Sequence, residues 1–179
     1  MTASRGRTAT ELGLVVAAFA LGGAVAGFAW ERLWTPATGV VVDHRWRPAD
    51  ALALQQQFSG TGWYVVVGTA LGLVLGIVAS LLVDRVPLLT LVAVVVGSAL
   101  AAWLMLRVGV ALGPPDPQHV AAAAKDGTRL PAQLTVSGRS PFIAFPLGAL
   151  LGLVIVLIGL GPRDPRPSVE ERPEAAPSP

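Results

Sequence analysis

The chain has 179 residues, of which 53% are hydrophobic and only 13% are charged, with a formal net charge of +2. Soluble domains carry about a quarter charged residues, so this composition favours a membrane domain over a soluble one. The small net charge gives no basis for nucleic-acid binding, and because the chain contains no cysteine, disulfides and thiolate metal sites are excluded.

Charged residues are segregated along the chain, which leaves four uninterrupted apolar segments. These segments predict transmembrane helices over residues 12–30, 63–83, 88–106 and 142–160. A helix rises 1.5 Å per residue, so about 20 apolar residues cross a hydrocarbon core of about 30 Å. We therefore expect an all-α membrane domain over residues 12–160.

The remaining segments complete the predicted organisation. Residues 1–11 form a cytoplasmic N-terminus, and residues 161–179, rich in Pro with alternating Arg and Glu, form a disordered cytoplasmic tail. The second and third spans form a tight hairpin, because only a few residues separate them. The outer loops, residues 31–62 and 107–141, are much longer.

Arginine and aromatic residues predict the orientation. With the N-terminus inside, arginines are denser in the inner segments than in the outer loops, as the positive-inside rule requires. Six aromatic residues fall at or beyond the outer face, where such rings sit among headgroups: Trp30, Trp34, Trp46, Trp63, Tyr64 and Trp103. Both termini are therefore placed in the cytoplasm. The preference for Arg over Lys, with abundant Ala, Val and Gly, indicates a high-GC bacterial source and hence the plasma membrane.

The first span has a second interpretation. Arg5 and Arg7 precede an apolar stretch in which residues 24–26, Ala-Val-Ala, form the small-x-small pattern of a signal-peptidase site. Cleavage there would leave three spans. The apolar run continues to Trp30, which favours a retained span.

Two pairs of segments resemble each other and predict an internal repeat. Residues 22–28 match residues 97–103 at an offset of 75, and residues 68–74 match residues 148–154 at an offset of 80. The interpretation is two tandem hairpins, the first and second spans followed by the third and fourth. Both hairpins cross the membrane in the same direction, which makes a parallel repeat. Chance similarity in a sequence rich in Ala, Gly, Val and Leu is the alternative.

Small residues recur every four positions within the spans, and this spacing returns to nearly the same face of a helix. In lipid, close approach of backbones at such positions supplies the packing between helices. A phosphate-binding loop would instead place its glycines between a strand and a helix, with a basic residue nearby. A face for self-association is the alternative. The predicted helix-packing positions are Gly23, Gly27, Gly68, Gly72, Gly76, Gly97, Ala101, Gly148 and Gly152.

The outer loops predict a small extracytoplasmic cap of short strands and helices. In the first loop a strand over residues 40–42 precedes a helix over residues 48–57. In the second, Asp116 caps a helix over residues 117–125, and a strand over residues 134–136 pairs with the first strand.

No group of residues points to catalysis or to a cofactor. His44 and His119 lie in the outer loops near Asp43 and Asp116, but no metal-ligand spacing accompanies them, so solvated loop residues are the simpler interpretation. No ionisable residue lies at mid-depth in a span, as a transport pathway usually requires. We expect neither an enzyme nor a metal or cofactor.

The layout resembles a known kind of protein. An Arg-bearing start, four spans, an outer loop that leads through FSGTGWY (residues 58–64) into a glycine-spaced helix, and a Pro-rich tail are similar to a family of uncharacterised actinobacterial membrane proteins, a domain of unknown function. The resemblance covers most of residues 5–160. It implies an envelope location in a high-GC Gram-positive bacterium and no activity, substrate or site residue.

These observations predict a non-enzymatic integral membrane protein, an envelope scaffold or accessory subunit. Its expected partners are the lipid bilayer and either other envelope membrane proteins or a second copy of itself. The alternative is a small transporter or channel formed by a homo-oligomer. An enzyme that acts on lipid at the outer headgroups through His44 and His119 is a third hypothesis.

Overall fold

The computed structural model describes residues 2–82 and 87–160 and is mostly helical. The long helices are α1 (Thr2–Leu33), α2 (Ala51–Leu82), α3 (Pro87–Leu112) and α5 (Ala144–Leu160), and the short ones are α4 (Pro117–Ala121) and a 3-10 helix (Ser140–Ile143). The strands are β1 (Thr38–Val42), β2 (Arg45–Pro48) and β3 (Arg129–Pro131). The predicted tail over residues 161–179 lies outside the described residues.

Four helices are long and apolar enough to cross a membrane. The prediction of four such helices is therefore confirmed, although three of them extend well beyond the predicted spans. α1 begins before residue 12, α2 begins before residue 63, and α3 continues beyond residue 106. The predicted bounds followed charge and hydropathy, whereas a helix ends only where its backbone hydrogen bonding ends.

The start of α2 corrects the prediction of a separate loop helix over residues 48–57. Asp50 caps α2 by accepting a hydrogen bond from the Ala53 amide at 2.7 Å, and the helix then runs without a break through Gly60. A Cβ at Gly60 would lie 3.1 Å from the carbonyl oxygen of Thr135. This glycine therefore permits a close approach and does not end the helix.

The long helices pack as two principal pairs, α1 with α3 and α2 with α5. Fully buried side chains, among them Phe19, Trp30, Tyr64 and Phe145, fill the space between the pairs. The rings of Trp30 and Tyr64 meet edge to face at 5.1 Å, and those of Phe19 and Phe145 lie 6.3 Å apart. One apolar core therefore joins all four helices.

Two buried hydrogen bonds cross this core near the cap. The Trp30 indole N–H donates to the Gly60 carbonyl at 2.7 Å, and the Tyr64 hydroxyl donates to the Ala102 carbonyl at 2.8 Å. A buried polar group left without a partner costs about 1–3 kcal/mol. These bonds therefore fix α1 to α2 and α2 to α3.

The aromatic residues do not all lie where the sequence places them. Trp63 and Trp103 are exposed, at 38% and 50%. The other four residues of the predicted headgroup belt are buried, namely Trp30, Trp34, Trp46 and Tyr64. Their burial weakens the aromatic argument for orientation, because a core residue carries no information about headgroups.

The two outer loops form one three-stranded antiparallel sheet with the order β2-β1-β3. The predicted strand over residues 134–136 is wrong, because β3 (Arg129–Pro131) takes that place beside β1. Leu134 is instead fully buried in the core of the helix bundle. The apolar side chains of this segment therefore close the end of the bundle.

Trp46 holds the cap together from the inner face of the sheet. Its indole N–H donates to the Leu130 carbonyl at 3.0 Å, and its backbone N–H and C=O pair with the side-chain amide of Gln118 at 3.3 and 3.2 Å. The indole lies against Gly39, where a Cβ would approach a ring carbon to 2.5 Å. The side chain of Asp116 caps α4 as predicted, but α4 ends at Ala121 and does not reach residue 125.

Candidate functional site

One face of the cap sheet carries three arginines. Val40 in the central strand lies opposite Arg47 on one side and Arg129 on the other, and residues directly opposite share a face of a sheet. Arg45 lies two residues from Arg47 and therefore points to the same side. All three arginines are exposed. We call Arg45, Arg47 and Arg129 the arginine face.

The arginines of the arginine face are not held in ion pairs. Among the described residues, none of its three guanidinium groups forms an ion pair. Strands lie about 4.8 Å apart, so the backbones that carry Arg47 and Arg129 are separated by roughly 10 Å. Thr38, Val40 and Val42 occupy the strip between them. A central strip of uncharged side chains is therefore flanked by guanidinium groups, which can form paired hydrogen bonds with carboxylates and phosphates.

The turn beside the arginine face is braced by the second outer loop. Asp43 and His44 both adopt left-handed backbone conformations, with φ of 53° and 56°, as a two-residue hairpin turn requires. The Asp126 carboxylate accepts a hydrogen bond from the His44 amide at 3.2 Å, and the Gly127 amide donates to the Val41 carbonyl at 2.9 Å. The position of β2 and its arginines is thus fixed by residues distant in sequence.

The two histidines lie on different elements of the cap. The His119 ring nitrogen lies 3.9 Å from the Asp116 carboxylate and its side chain is 90% exposed, whereas His44 sits in the hairpin turn. Within residues 2–82 and 87–160 no three His, Cys, Asp or Glu side chains are placed to hold a metal ion. The backbone of His44, and not its ring, makes the contact that the structure records.

A cavity of about 410 Å³ lies beside the inner side of the cap. Trp46, Phe58, Gln133 and Thr135 are among its lining residues, and Asp116 is the one ionisable residue of that lining. Because Asp116 is engaged as the cap of α4, the cavity offers hydrogen-bonding groups and no acid–base pair.

The predicted small residues on α1 and α3 lie at the contact between these helices. Gly23 lies against the backbone of Ala101, and a Cβ at Gly27 would lie 2.6 Å from the carbonyl oxygen of Met105. Gly97 lies against Phe19, where a Cβ would be 3.1 Å from that side chain. From one contact to the next the residue numbers increase in both helices, so α1 and α3 run parallel to each other.

The predicted glycines on α2 and α5 lie at the second principal contact. Gly72 and Gly76 lie against backbone carbonyls of α5, and Gly148 and Gly152 lie against backbone carbonyls of α2. Gly68 has more room, since a Cβ there would be 3.6 Å from the sulfur of Met105. These two helices are also parallel.

Sequence reasoning missed two groups of residues. The arginine face needs the strand register, which no local pattern supplies, although the alternation of Arg45 and Arg47 around Trp46 is typical of a half-buried strand. Gly109, against which the Trp30 ring packs, lies beyond the predicted end of the third span. Its spacing of four from Gly113 is the signal that would have found it.

Comparison of the chain with models of known protein families, with curated proteins and with solved structures finds no match. The resemblance to an actinobacterial family therefore stays a prediction. Any function is inferred from the geometry of the chain itself, and the feature with the clearest chemistry is the arginine face on the braced cap.

Proposed function

We propose that the chain is a multi-pass membrane protein of the bacterial envelope, without enzymatic activity, that displays its cap as a docking platform for acidic segments of other envelope proteins. It acts as a scaffold or accessory subunit. The observation that carries this proposal is the arginine face, three exposed guanidinium groups without ion pairs on a cap that the helices hold in place.

The outer surface of the long helices supports the membrane location. Large apolar side chains are widely exposed on each of them, for example Leu21 at 70%, Leu82 at 73%, Leu88 at 70% and Ile158 at 79%. A water-soluble protein rarely exposes contiguous apolar patches of more than a few hundred Å². In lipid, exposing such side chains carries no free-energy cost, and close backbone contacts hold the helices together.

Reciprocal contacts between α2 and α5 support the tandem repeat. Gly72 lies against the carbonyl oxygen of Phe145, and Gly148 lies against that of Thr69. The contacting positions, 72 with 148 and 69 with 145, are related by a shift of 76 residues, one helical turn less than the offset of 80 in the sequence match. Such exchange of equivalent contacts is what a two-fold axis between parallel copies produces.

The same exchange recurs one turn further along these helices. Gly76 lies against the carbonyl oxygen of Ala149 and Gly152 against that of Leu73, again at positions related by a shift of 76 residues. The sequence match has an offset of 80, so the packing register differs from it by one helical turn. We infer that α1 with α2 is one copy and α3 with α5 is the other. Counterpart helices then pack together, α1 with α3 and α2 with α5.

The orientation follows from the arginines of the inner segments under the positive-inside rule. It places both termini in the cytoplasm and the cap outside. Trp63 and Trp103, the exposed tryptophans of the predicted belt, lie near the cap, because their neighbours Tyr64 and Ala102 are joined by a hydrogen bond at the cap end of the bundle.

Site-specific photo-crosslinking in native membranes tests the docking function. A benzophenone residue at Val42 lies beside the arginine face, and one at Val120 on α4 is a matched control, since their exposures are 40% and 39%. We expect a discrete crosslinked product from position 42 that disappears at high salt, because exposed ion pairs are screened. Position 120 should not yield it.

The arginines themselves are tested by replacing Arg45, Arg47 and Arg129 together with Gln. Three exposed ion pairs contribute roughly 0.2–1 kcal/mol each, so binding should weaken about tenfold. Arg139→Gln, which removes one exposed cap arginine away from the sheet, controls for the loss of an arginine elsewhere on the cap and is compared with each single Arg→Gln variant. Recovery of the same product from the triple variant, or no salt-sensitive product from the wild type, would refute the docking function.

The homo-oligomeric transporter or channel has weaker support. Aromatic and aliphatic side chains fill the described interior of the bundle, and the buried polar side chains there are Thr90 and Ser98. Ser98 donates to the Val95 carbonyl of its own helix. A permeation path would therefore have to lie between copies. Flux of ions or small solutes into liposomes that contain folded protein would favour the transporter or channel over the scaffold.

A further inference from the structure

Two matched contacts between an arginine and an aromatic ring lie on α1 and α3. The Arg32 guanidinium lies 5.0 Å from the ring centre of Phe28, and the Arg107 guanidinium lies 5.2 Å from that of Trp103. In each pair the arginine follows the ring by four residues, about one helical turn. The two pairs are counterparts in the predicted repeat, separated by 75 residues.

Both pairs point away from the contact between α1 and α3. Phe28 follows the contact residue Gly23 by five positions, and Trp103 follows the contact residue Ala101 by two. At 100° per residue, Phe28 is therefore rotated by roughly 140° from Gly23 and 100° from Gly27. Trp103 is likewise rotated by roughly 160° from Ala101. The exposed fractions of the rings, 49% and 50%, agree with this placement.

Both pairs lie toward the cap end of the bundle, the Arg107 pair about one helical turn further from the cap, because Gly23 and Gly27 lie against Ala101 and Met105. Arg32 is in the last turn of α1, and Trp103 adjoins Ala102, which accepts the buried hydrogen bond from Tyr64. In the proposed membrane orientation, each ring lies at the boundary of the hydrocarbon and each guanidinium lies at the level of the headgroups.

The chemistry of these pairs matches a phospholipid. A guanidinium presents a planar fork of donors that binds phosphate through two hydrogen bonds. Its position over the ring limits the conformations that it can adopt, and the exposed ring offers an apolar surface to the adjoining glycerol and acyl groups. A free phosphate ion would gain nothing from the ring.

The two pairs differ in their local charge. The Arg32 guanidinium contacts the Glu31 carboxylate at 3.5 Å, whereas Arg107 forms no ion pair within the described residues. In a zwitterionic headgroup an ammonium already neutralises the phosphate. An arginine without a carboxylate neighbour therefore discriminates most strongly in favour of an anionic lipid.

We propose that Arg107 with Trp103, and Arg32 with Phe28, are two binding sites for the phosphate of outer-leaflet phospholipids, and that the Arg107 site selects anionic lipid. This inference rests on the proposed membrane location and orientation. It is independent of the arginine face and of any protein partner.

Native mass spectrometry of the full chain in detergent, titrated with phosphatidylglycerol or phosphatidylcholine, tests the two sites. The wild type should retain phosphatidylglycerol in preference. Arg107→Gln should weaken its retention roughly tenfold or more, since it removes a charge-assisted hydrogen bond to the phosphate. Arg32→Gln should have a smaller effect because of Glu31, and Arg139→Gln should have none.

Further variants separate binding from folding. Arg107→Lys keeps the charge but loses the planar fork, so it should retain less lipid than the wild type while its thermal unfolding stays unchanged. Equal retention of both lipids by the wild type, or unchanged retention by the Arg32 and Arg107 double variant, would overturn the proposal. Displacement of lipid by inorganic phosphate at equal concentration would also overturn it, because the site would then recognise a free ion.

Extraction of native membranes with alkaline carbonate distinguishes a failure of the proposed membrane location from a failure of the two lipid sites. If carbonate releases the chain from membranes, the proposed membrane location fails and this inference fails with it. If the chain stays in the membrane fraction but shows no lipid selectivity, the membrane location stands and the two lipid sites do not.

Discussion

Replacing Gly76 by Ala should push α2 and α5 apart. A Cβ at this position would lie 2.8 and 2.9 Å from the carbonyl carbon and Cα of Ala149 and would overlap its carbonyl oxygen. Carbon atoms pack best at about 3.5–4.0 Å. These neighbours are backbone atoms of a helix and cannot rotate away, so the helices themselves must move by roughly 1 Å.

The size of the effect follows from two opposing terms. Overpacking a tight interface costs about 1–3 kcal/mol, and a backbone neighbour places this site in the upper part of that range. Replacing Gly by Ala within a helix returns about 1 kcal/mol of helix propensity. The net loss is therefore about 1–2 kcal/mol, which for a chain of this size lowers the Tm by roughly 2–8 °C.

Gly62→Ala on the same helix is the matched control. A Cβ at Gly62 has no atom within 4 Å, so only the propensity term remains and stability should rise by up to about 1 kcal/mol. The assay is unfolding of the purified full chain in mild detergent, followed by circular dichroism. A stabilising effect of Gly76→Ala equal to that of Gly62→Ala would show that the backbones of α2 and α5 do not touch there.

Three further substitutions probe the core and the cap. Tyr64→Phe removes the hydroxyl that donates to the Ala102 carbonyl, and because that carbonyl keeps its helical donor within α3, the same unfolding assay should show a loss of about 0.5–1.5 kcal/mol. Gly39→Val displaces the Trp46 ring and should speed amide hydrogen exchange in β1 and β2 but not in the long helices. Asp126→Ala removes the acceptor for the His44 amide, so exchange should accelerate at the turn, whereas Asp126→Asn keeps an acceptor and should behave like the wild type.

The long helices could be predicted because each satisfies its own backbone hydrogen bonds, so length and hydropathy suffice to identify them. The capping of α4 by Asp116 could be predicted for a similar reason. Asp116 accepts a hydrogen bond from an amide two residues away, and Pro117 occupies the first position of the same helix. Where a segment ends was harder to predict. Gly60 resembles a helix stop in the sequence, whereas in the structure it lies inside α2 and lets the Thr135 carbonyl approach the helix.

The cap sheet could not be predicted from local patterns. Its hairpin turn uses Asp43 and His44 in left-handed conformations, where the usual signal is Asn-Gly or Asp-Gly. The pairing of Val40 with Arg129 joins distant parts of the chain. Leu134 lies in a segment that alternates like a strand but is needed in the bundle core. The arginine face depends on the hairpin turn and on the pairing of Val40 with Arg129, so the sequence alone does not predict it.

The central strand of the cap has consequences for biogenesis. β1 is synthesised before α2, yet its second neighbour, β3, is synthesised only after α3. Until then the Trp46 indole lacks its acceptor at Leu130, and the cap has a bare edge. Before β3 is synthesised, α1 and α2 therefore carry an incomplete sheet. That sheet can be completed only after α3 and the segment that follows it have been synthesised.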